Sequence, residues 1–290
     1  NVAAAGKIWS HAVSQDLVHW EQIEHAILND VERMIWSGSA IVDHNNSAGL
    51  NRGDENTLLY DQRFGTVPAL GIDQKTLIAF YTLTNPFVQC MAYSHDRGRT
   101  FTNIEEPIIG EINPGTRDPK VFYWRADASR SPGPSRADQP FQDDSTSRRS
   151  DEFGKWIMIL HGAPFLLFES DDLTNWTPLG EIPLSGLSEC PELFELPIDG
   201  DPDNTRWVVW GGRGAYCTGD FDGKTFTPDF EGLIETEFAV RGKGAYAGQT
   251  FNDAPDGRRI MIAWLKWKRG RNEGDSFVDV YPDMPFTQQM

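Results

Sequence analysis

The sequence has few of the residues that build metal sites or disulfide frameworks. Its 290 residues include three cysteines and six histidines. No two cysteines have Cys-x-x-Cys spacing, and there is no His-Glu-x-x-His motif. The sequence therefore gives no support for a zinc site, for metal-dependent catalysis or for a disulfide framework.

Basic residues and long apolar runs are also scarce. The chain has 26 Lys and Arg against 43 Asp and Glu, a formal net charge of −17. Because an acidic surface repels polyanions, we expect no nucleic-acid partner and no anionic-membrane partner. No apolar run reaches the roughly 18 residues that a membrane-spanning helix requires.

Aromatic and turn-forming residues are abundant, whereas sustained helical periodicity is absent. There are 10 Trp, 17 Phe and 7 Tyr among 27 Gly and 18 Pro. This composition predicts an all-β fold, and the length suffices for one large domain or two small ones.

A short turn pattern recurs along the chain. Ser-x-Asp-x-x-x-Trp occurs at 14–20 and 170–176, with variants at 94–101 and 222–226. An Asp that accepts hydrogen bonds from its own backbone is a structural device, so each copy is interpreted as a hairpin corner. Such repeats predict a propeller with blades of about 40–50 residues. Residues 125–152, rich in Ser, Pro and charge, are predicted to be a polar insertion within a blade.

Four segments open the predicted blades, at 35–42, 117–122, 189–194 and 245–251. In a propeller the innermost strands line one channel, so the residues at their heads meet at one mouth. The residues expected there are Trp36, Ser37, Arg117, Asp118 and Glu189.

Asp118 and Glu189 are the candidate catalytic pair. Two carboxylates at strand heads, one beside Arg117, could face each other across a sugar ring. Taken separately, Glu189 could be an ordinary solvated or ion-paired carboxylate, and Arg117 and Asp118 could form a plain ion pair.

The ordered motifs resemble glycoside hydrolase family 32, the invertase, inulinase and levanase group, over essentially the whole chain. The segments that carry the resemblance are 36–39, 93–100, 117–119, 189–191, 219–226 and 249–253. The family resemblance implies a five-bladed β-propeller followed by a β-sandwich. We expect residues 1–290 to be a single propeller domain truncated at both ends, with an incomplete first blade and no sandwich.

The resemblance implies hydrolysis of terminal β-fructofuranosides in inulin, levan or sucrose with retention of configuration. It makes Glu189 the general acid/base, Asp118 the partner of the fructosyl hydroxyls, and Arg117 the residue that holds both. The other expected substrate-binding residues are Trp9, Trp36, Ser37, Cys190 and Trp264. For Trp9 and Trp264, packing in a blade core is an equal alternative.

The resemblance also implies a carbohydrate as the partner and no metal or organic cofactor. It favours a secreted or periplasmic location, and the oligomeric state stays open.

The family's nucleophile is missing from this sequence. It is an Asp in an Asn-Asp-Pro-Asn motif, which occurs nowhere in these 290 residues. We therefore expect residues 1–290 alone to be poorly stable and inactive. Three alternatives stay open: a non-catalytic sugar-binding propeller, a related pentosidase acting on arabinan or xylan, and fructosyl transfer.

Overall fold

All regular structure that the computed structural model describes is β-strand. The described residues are 7–28, 33–51, 58–61, 65–68, 75–125, 154–182, 189–233, 245–252, 254, 258–265, 270–271, 277–278 and 287–289. Within these ranges there is no α-helix, and hence none that could span a membrane. The expectation of an all-β fold is confirmed.

The strands, in chain order, are β1 (Trp9–Ser14), β2 (Trp20–Ile27), β3 (Ile35–Asp43), β4 (Leu58–Asp61), β5 (Gly65–Pro68), β6 (Thr76–Leu83), β7 (Val88–Ser94), β8 (Thr102–Asn103), β9 (Arg117–Arg125), β10 (Gly154–His161), β11 (Phe165–Ser170), β12 (Thr177–Ile182), β13 (Glu192–Ile198), β14 (Asp201–Trp210), β15 (Ala215–Phe221), β16 (Phe226–Leu233), β17 (Ala245–Thr250), β18 (Ile260–Leu265), β19 (Gly270–Arg271), β20 (Phe277–Val278) and β21 (Thr287–Gln289).

Three four-stranded antiparallel sheets form the centre of the chain. Sheet A has the order β3-β6-β7-β8, sheet B runs from β9 to β12, and sheet C runs from β13 to β16. The hairpin β1-β2 precedes sheet A, and β17, β18 and β21 follow sheet C. The expected insertion at 125–152 falls almost wholly on residues outside the described ranges, between the paired strands β9 and β10.

The apolar cores lie between successive sheets. In β10, Trp156, Met158 and Leu160 pack in a cluster shared with sheet A. The alternate residues Ile157 and Ile159 pack in a cluster shared with sheet C. Because successive side chains of a strand face opposite sides, an uninterrupted apolar run is what a strand buried on both faces requires. Sheet B is therefore a layer between its two neighbours, as a propeller-type blade is.

The repeated turn pattern forms the corner between two neighbouring strands of a sheet. Asp172 accepts hydrogen bonds from the backbone N–H groups of Thr174 and Asn175 at 2.9 and 2.7 Å between β11 and β12. Asp16 does the same between β1 and β2. These carboxylates are committed to their turns, as the sequence predicts.

A glycine is required where the pairing of β3 with β6 slips by one residue. The register shift lies between Trp36 and Gly38. A Cβ atom on Gly38 would stand 1.8 Å from the carbonyl oxygen of Phe80, so the two backbones can approach only without a side chain.

We predict that Gly38→Ala destabilises the full-length protein because the added methyl group forces β3 away from β6. The loss in unfolding free energy should be about 1–3 kcal/mol, measured by urea denaturation. Gly110→Ala is the matched control, since a Cβ atom there meets nothing within 4 Å. Equal stability losses in the two variants would contradict this explanation of the glycine.

Candidate active site

The first strands of four successive sheets lie next to one another. The backbone N–H of Val121 in β9 donates to the Ser39 hydroxyl of β3 at 3.0 Å. The Asn252 side chain, just after β17, donates to the carbonyls of Ala40 and Val121 at 3.2 and 3.0 Å. Strand β13 joins this group because the backbone N–H of Cys190, just before β13, donates to Asp118 of β9 at 3.0 Å. The first strands β3, β9, β13 and β17 are therefore neighbours, and we call the region where these strands begin the mouth.

Arg117 holds two carboxylates at this mouth. Its Nη2 donates to Glu189 Oε2 at 2.8 Å, and its Nε lies 3.6 Å from Asp118 Oδ2. Its Nη1 donates to the carbonyl of Gly115 at 2.7 Å, which fixes the plane of the guanidinium group. Charge-assisted contacts of this kind orient side chains firmly. The structure thus brings together the three charged residues that the sequence analysis singled out.

Asp118 is almost completely buried, at 2% exposure. Its Oδ2 accepts the backbone N–H of Cys190 at 3.0 Å and lies 3.6 Å from the Cys190 thiol. Burial raises the pKa of Asp118, and the Cys190 N–H and the Arg117 charge oppose that shift. Burial and the nearby Asp118 charge raise the pKa of the Cys190 thiol, so it stays protonated and can donate to the carboxylate.

The backbone at the two strand heads is left-handed. Asp118 has φ 58° and Cys190 has φ 53°, values that are uncommon for residues other than glycine. A proline follows each of them. The register of β9 against β10 shifts here, and such a bulge redirects side chains that would otherwise alternate between faces. Arg117 and Asp118 can therefore act in one site although they are adjacent.

Glu189 lies just before β13 and does not open the strand, contrary to the expectation from sequence. The strand begins at Glu192 because Pro191 has no N–H to donate and Cys190 has a left-handed backbone. The Glu189 carbonyl instead accepts the N–H of Gly212 at 2.7 Å. The Glu189 side chain stays 25% exposed, which leaves it accessible to a ligand.

Trp36 lies beside the Arg117 guanidinium, and Trp9 contacts the Trp36 backbone. The Arg117 guanidinium lies 5.6 Å from the centre of the Trp36 ring. Trp9 donates from Nε1 to the Trp36 carbonyl at 2.9 Å and packs edge-on against Tyr81 in the core. Of the two roles left open for Trp9, these contacts favour packing.

The two remaining expected residues lie at the surface. Ser37, next to Trp36, is exposed. Trp264 is 73% exposed and lies opposite Tyr246 in the pairing of β18 with β17. It is thus close to the fourth strand head and is not part of a blade core.

His161 is a site residue that the sequence analysis missed. It ends β10 opposite Arg117, and its Nδ1 is buried with no hydrogen-bond partner in the described part of the chain. Burial and the Arg117 charge lower the pKa of His161 to about 4, and the Glu189 charge opposes them. In the sequence, His161 is marked only by its position at the end of the apolar run of β10. That position does not show that His161 lies opposite Arg117.

The described ranges contain no cluster of side chains suited to a metal ion. Within them, no three His, Cys, Asp or Glu side chains are grouped closely enough to hold a metal ion.

The chain matches one protein family along most of its length. The profile of the "Glycosyl hydrolases family 32 N-terminal domain" matches residues 1–131 and 129–276. A levanase of Bacillus subtilis (strain 168) is 34% identical over 283 residues, which cover 89% of this chain and 34% of the levanase. An extracellular exo-inulinase of Aspergillus niger is 29% identical, with 94% of this chain and 51% of the relative covered. The chain thus spans about a third of the levanase and about half of the exo-inulinase.

A solved structure has the same fold. The fructofuranosidase from Schwanniomyces occidentalis complexed with fructose superposes with a TM-score of 0.65 at 30% identity. The similarity covers 92% of this chain and 47% of that one.

We predict that His161 makes the folded state sensitive to acid. Its pKa is 6.5 in its usual state and about 4 here, so the unfolded chain binds the proton more tightly. Stability is therefore lost as the pH falls from about 6.5 to about 4. Since the ring is partly exposed, the loss should be about 1–2 kcal/mol. The measurement is the unfolding free energy of the full-length protein from urea denaturation at pH 7 and at pH 4.5.

The variant His161→Gln should lose less stability than the wild type over this range. His25→Gln changes an exposed histidine of β2 and should keep the wild-type difference. An unchanged difference in His161→Gln would show that other groups cause the acid sensitivity.

Proposed function

Because this chain belongs to glycosyl hydrolase family 32 through its N-terminal domain, we propose that its protein hydrolyses terminal β-D-fructofuranosidic bonds in fructans or sucrose. The observation that carries the proposal is the single Arg117 guanidinium that contacts both Glu189 and Asp118. Relatives named levanase, exo-inulinase and fructofuranosidase support this substrate class.

Glu189 is the proposed general acid/base. Its carboxyl group is partly exposed and held by Arg117, so it can reach the oxygen of the leaving group from a fixed position. In a retaining mechanism this group first donates a proton to that oxygen and then takes one from the attacking water.

Asp118 is the proposed partner of the fructosyl hydroxyl groups. Its Oδ2 is occupied by Cys190, and its backbone N–H donates to the Thr82 hydroxyl at 3.0 Å. Because one carboxyl oxygen and the backbone N–H of Asp118 are both held, the carboxyl group can keep a sugar hydroxyl in one orientation. This stabilises the transition state. Cys190, Trp36 and Ser37 would line the same ring, with Trp264 at the rim.

We assign the attacking carboxylate to the Asp of the family's Asn-Asp-Pro-Asn motif, which does not occur in these 290 residues. A retaining mechanism needs a nucleophile in addition to the acid/base. Asp16 and Asp172 are committed to turns, and Asp118 is committed to Cys190. Carboxylates supply every catalytic function in this scheme, so it requires no cofactor.

The proposed architecture is a five-bladed propeller in which β1 and β2 are the outer strands of an incomplete first blade. Residues 1–290 would form one catalytic domain, residues 125–152 an insertion in the second complete blade, and a β-sandwich would lie outside this chain. The extracellular exo-inulinase supports a secreted location. The proposed partner is a fructoside.

The proposal is tested by assaying the full-length protein on sucrose, inulin and levan in parallel. Glu189→Gln should lower turnover by about 10²–10⁴-fold, since general acid help is lost. Fructosides with a good leaving group should lose less activity, because such a group needs little protonation. Glu181→Gln, an exposed carboxylate on β12, should keep wild-type turnover.

A Glu189→Gln protein that hydrolyses sucrose at the wild-type rate would overturn the acid/base assignment. A wild-type protein that binds fructan without cleaving it would support the sugar-binding alternative. Release of arabinose or xylose from pentosans would support the pentosidase.

A further inference from the structure

A buried charged network lies one layer below the candidate site. Lys120 is 2% exposed and Glu192 is 0% exposed. Lys120 Nζ lies 3.1 Å from Glu192 Oε1 and donates to the carbonyl of Thr250 at 2.6 Å. The Thr250 hydroxyl donates to Glu192 Oε2 at 2.6 Å. These three residues, the Lys120 network, belong to the first strands of three different sheets, β9, β13 and β17.

The network is joined to the site through two short, stiff segments. Lys120 follows Asp118 by two residues, and Glu192 follows Cys190 by two residues. In both cases the residue between them is a proline, which fixes its own φ angle. A shift of Lys120 relative to Glu192 therefore also shifts Asp118 relative to Cys190.

Stability alone does not explain a buried ion pair at this position. Replacing such a pair by apolar residues of similar volume is often neutral or stabilising, because both charges must be desolvated. What the pair adds is a defined geometry, since its contacts hold only for one separation of β9 and β13.

We propose that the Lys120 network is a positioning unit, which fixes the separation and orientation of Asp118 and Glu189 for fructoside hydrolysis. This inference rests on the proposed function for its kinetic consequence. Lys120, Glu192 and Thr250 are buried, so in this proposal they do not contact the substrate. They act through the strand heads, where a displacement of about 1 Å can cost about 10²-fold in rate.

The main test is the double variant Lys120→Met/Glu192→Leu in the full-length protein. Removing both charges together leaves no unpaired ion in the core. We expect kcat on sucrose to fall about 10²-fold per folded molecule, a larger change than any in KM, because the transition state depends most on the positions of the two carboxyl groups. A crystal structure of the variant should show that the Arg117–Glu189 and Cys190–Asp118 contacts have lengthened.

The matched control is Lys155→Met/Glu169→Leu. This Lys–Glu pair joins β10 and β11 within a single sheet, away from the strand heads. It should keep wild-type kcat and the wild-type Asp118–Glu189 geometry.

Thr250→Val is a milder variant for the case in which the double variant does not fold. It removes the hydroxyl group that donates to Glu192 and keeps the carbonyl that accepts from Lys120. We expect a fall in kcat of about tenfold, again larger than any change in KM.

The crystal structure of the double variant tests the positioning role independently of the proposed fructoside hydrolysis. If the wild type cleaves no fructoside, the contacts of Asp118 and Glu189 in the variant crystals still decide the positioning role. Wild-type contacts at both strand heads in the folded double variant, or wild-type kcat in folded Thr250→Val, would overturn it.

Discussion

Two carboxylates at one strand mouth repel each other, and the Arg117 guanidinium makes their proximity possible. It pairs directly with Glu189 and lies close to Asp118, while Gly115 anchors its remaining face. Without that positive charge, the two carboxylates would favour uptake of a proton or would move apart. The strands around the mouth therefore place the Arg117 guanidinium next to the Asp118 and Glu189 carboxylates.

Backbone geometry explains how the strands deliver these groups. A regular strand would turn Arg117 and Asp118 to opposite faces, and the bulge with its left-handed residue brings both to the mouth. Cys190 repeats the same conformation at the neighbouring strand head. Two residues further along each strand, the Lys120 network joins β9 to β13. The position of the site therefore follows from the packing of the sheets.

Much of this arrangement could be predicted from the sequence, because it depends on local patterns. Apolar runs, prolines and the repeated Asp turns are local signals, and they place the strand heads that carry Asp118 and Glu189. The role of His161 could not be predicted, since its contact with Arg117 depends on how β10 pairs with β9. The same holds for Lys120 and Glu192, which meet only through packing between sheets, and for Trp9, which lies behind Trp36.

The most direct test of the central claim is a crystal structure of the full-length Glu189→Gln protein with a bound fructo-oligosaccharide. We expect the terminal fructosyl ring to contact the Asp118 carboxyl group, and the residue 189 amide to lie within hydrogen-bond distance of the glycosidic oxygen. A sugar bound elsewhere, or a terminal ring at this mouth that does not contact Asp118, would contradict it.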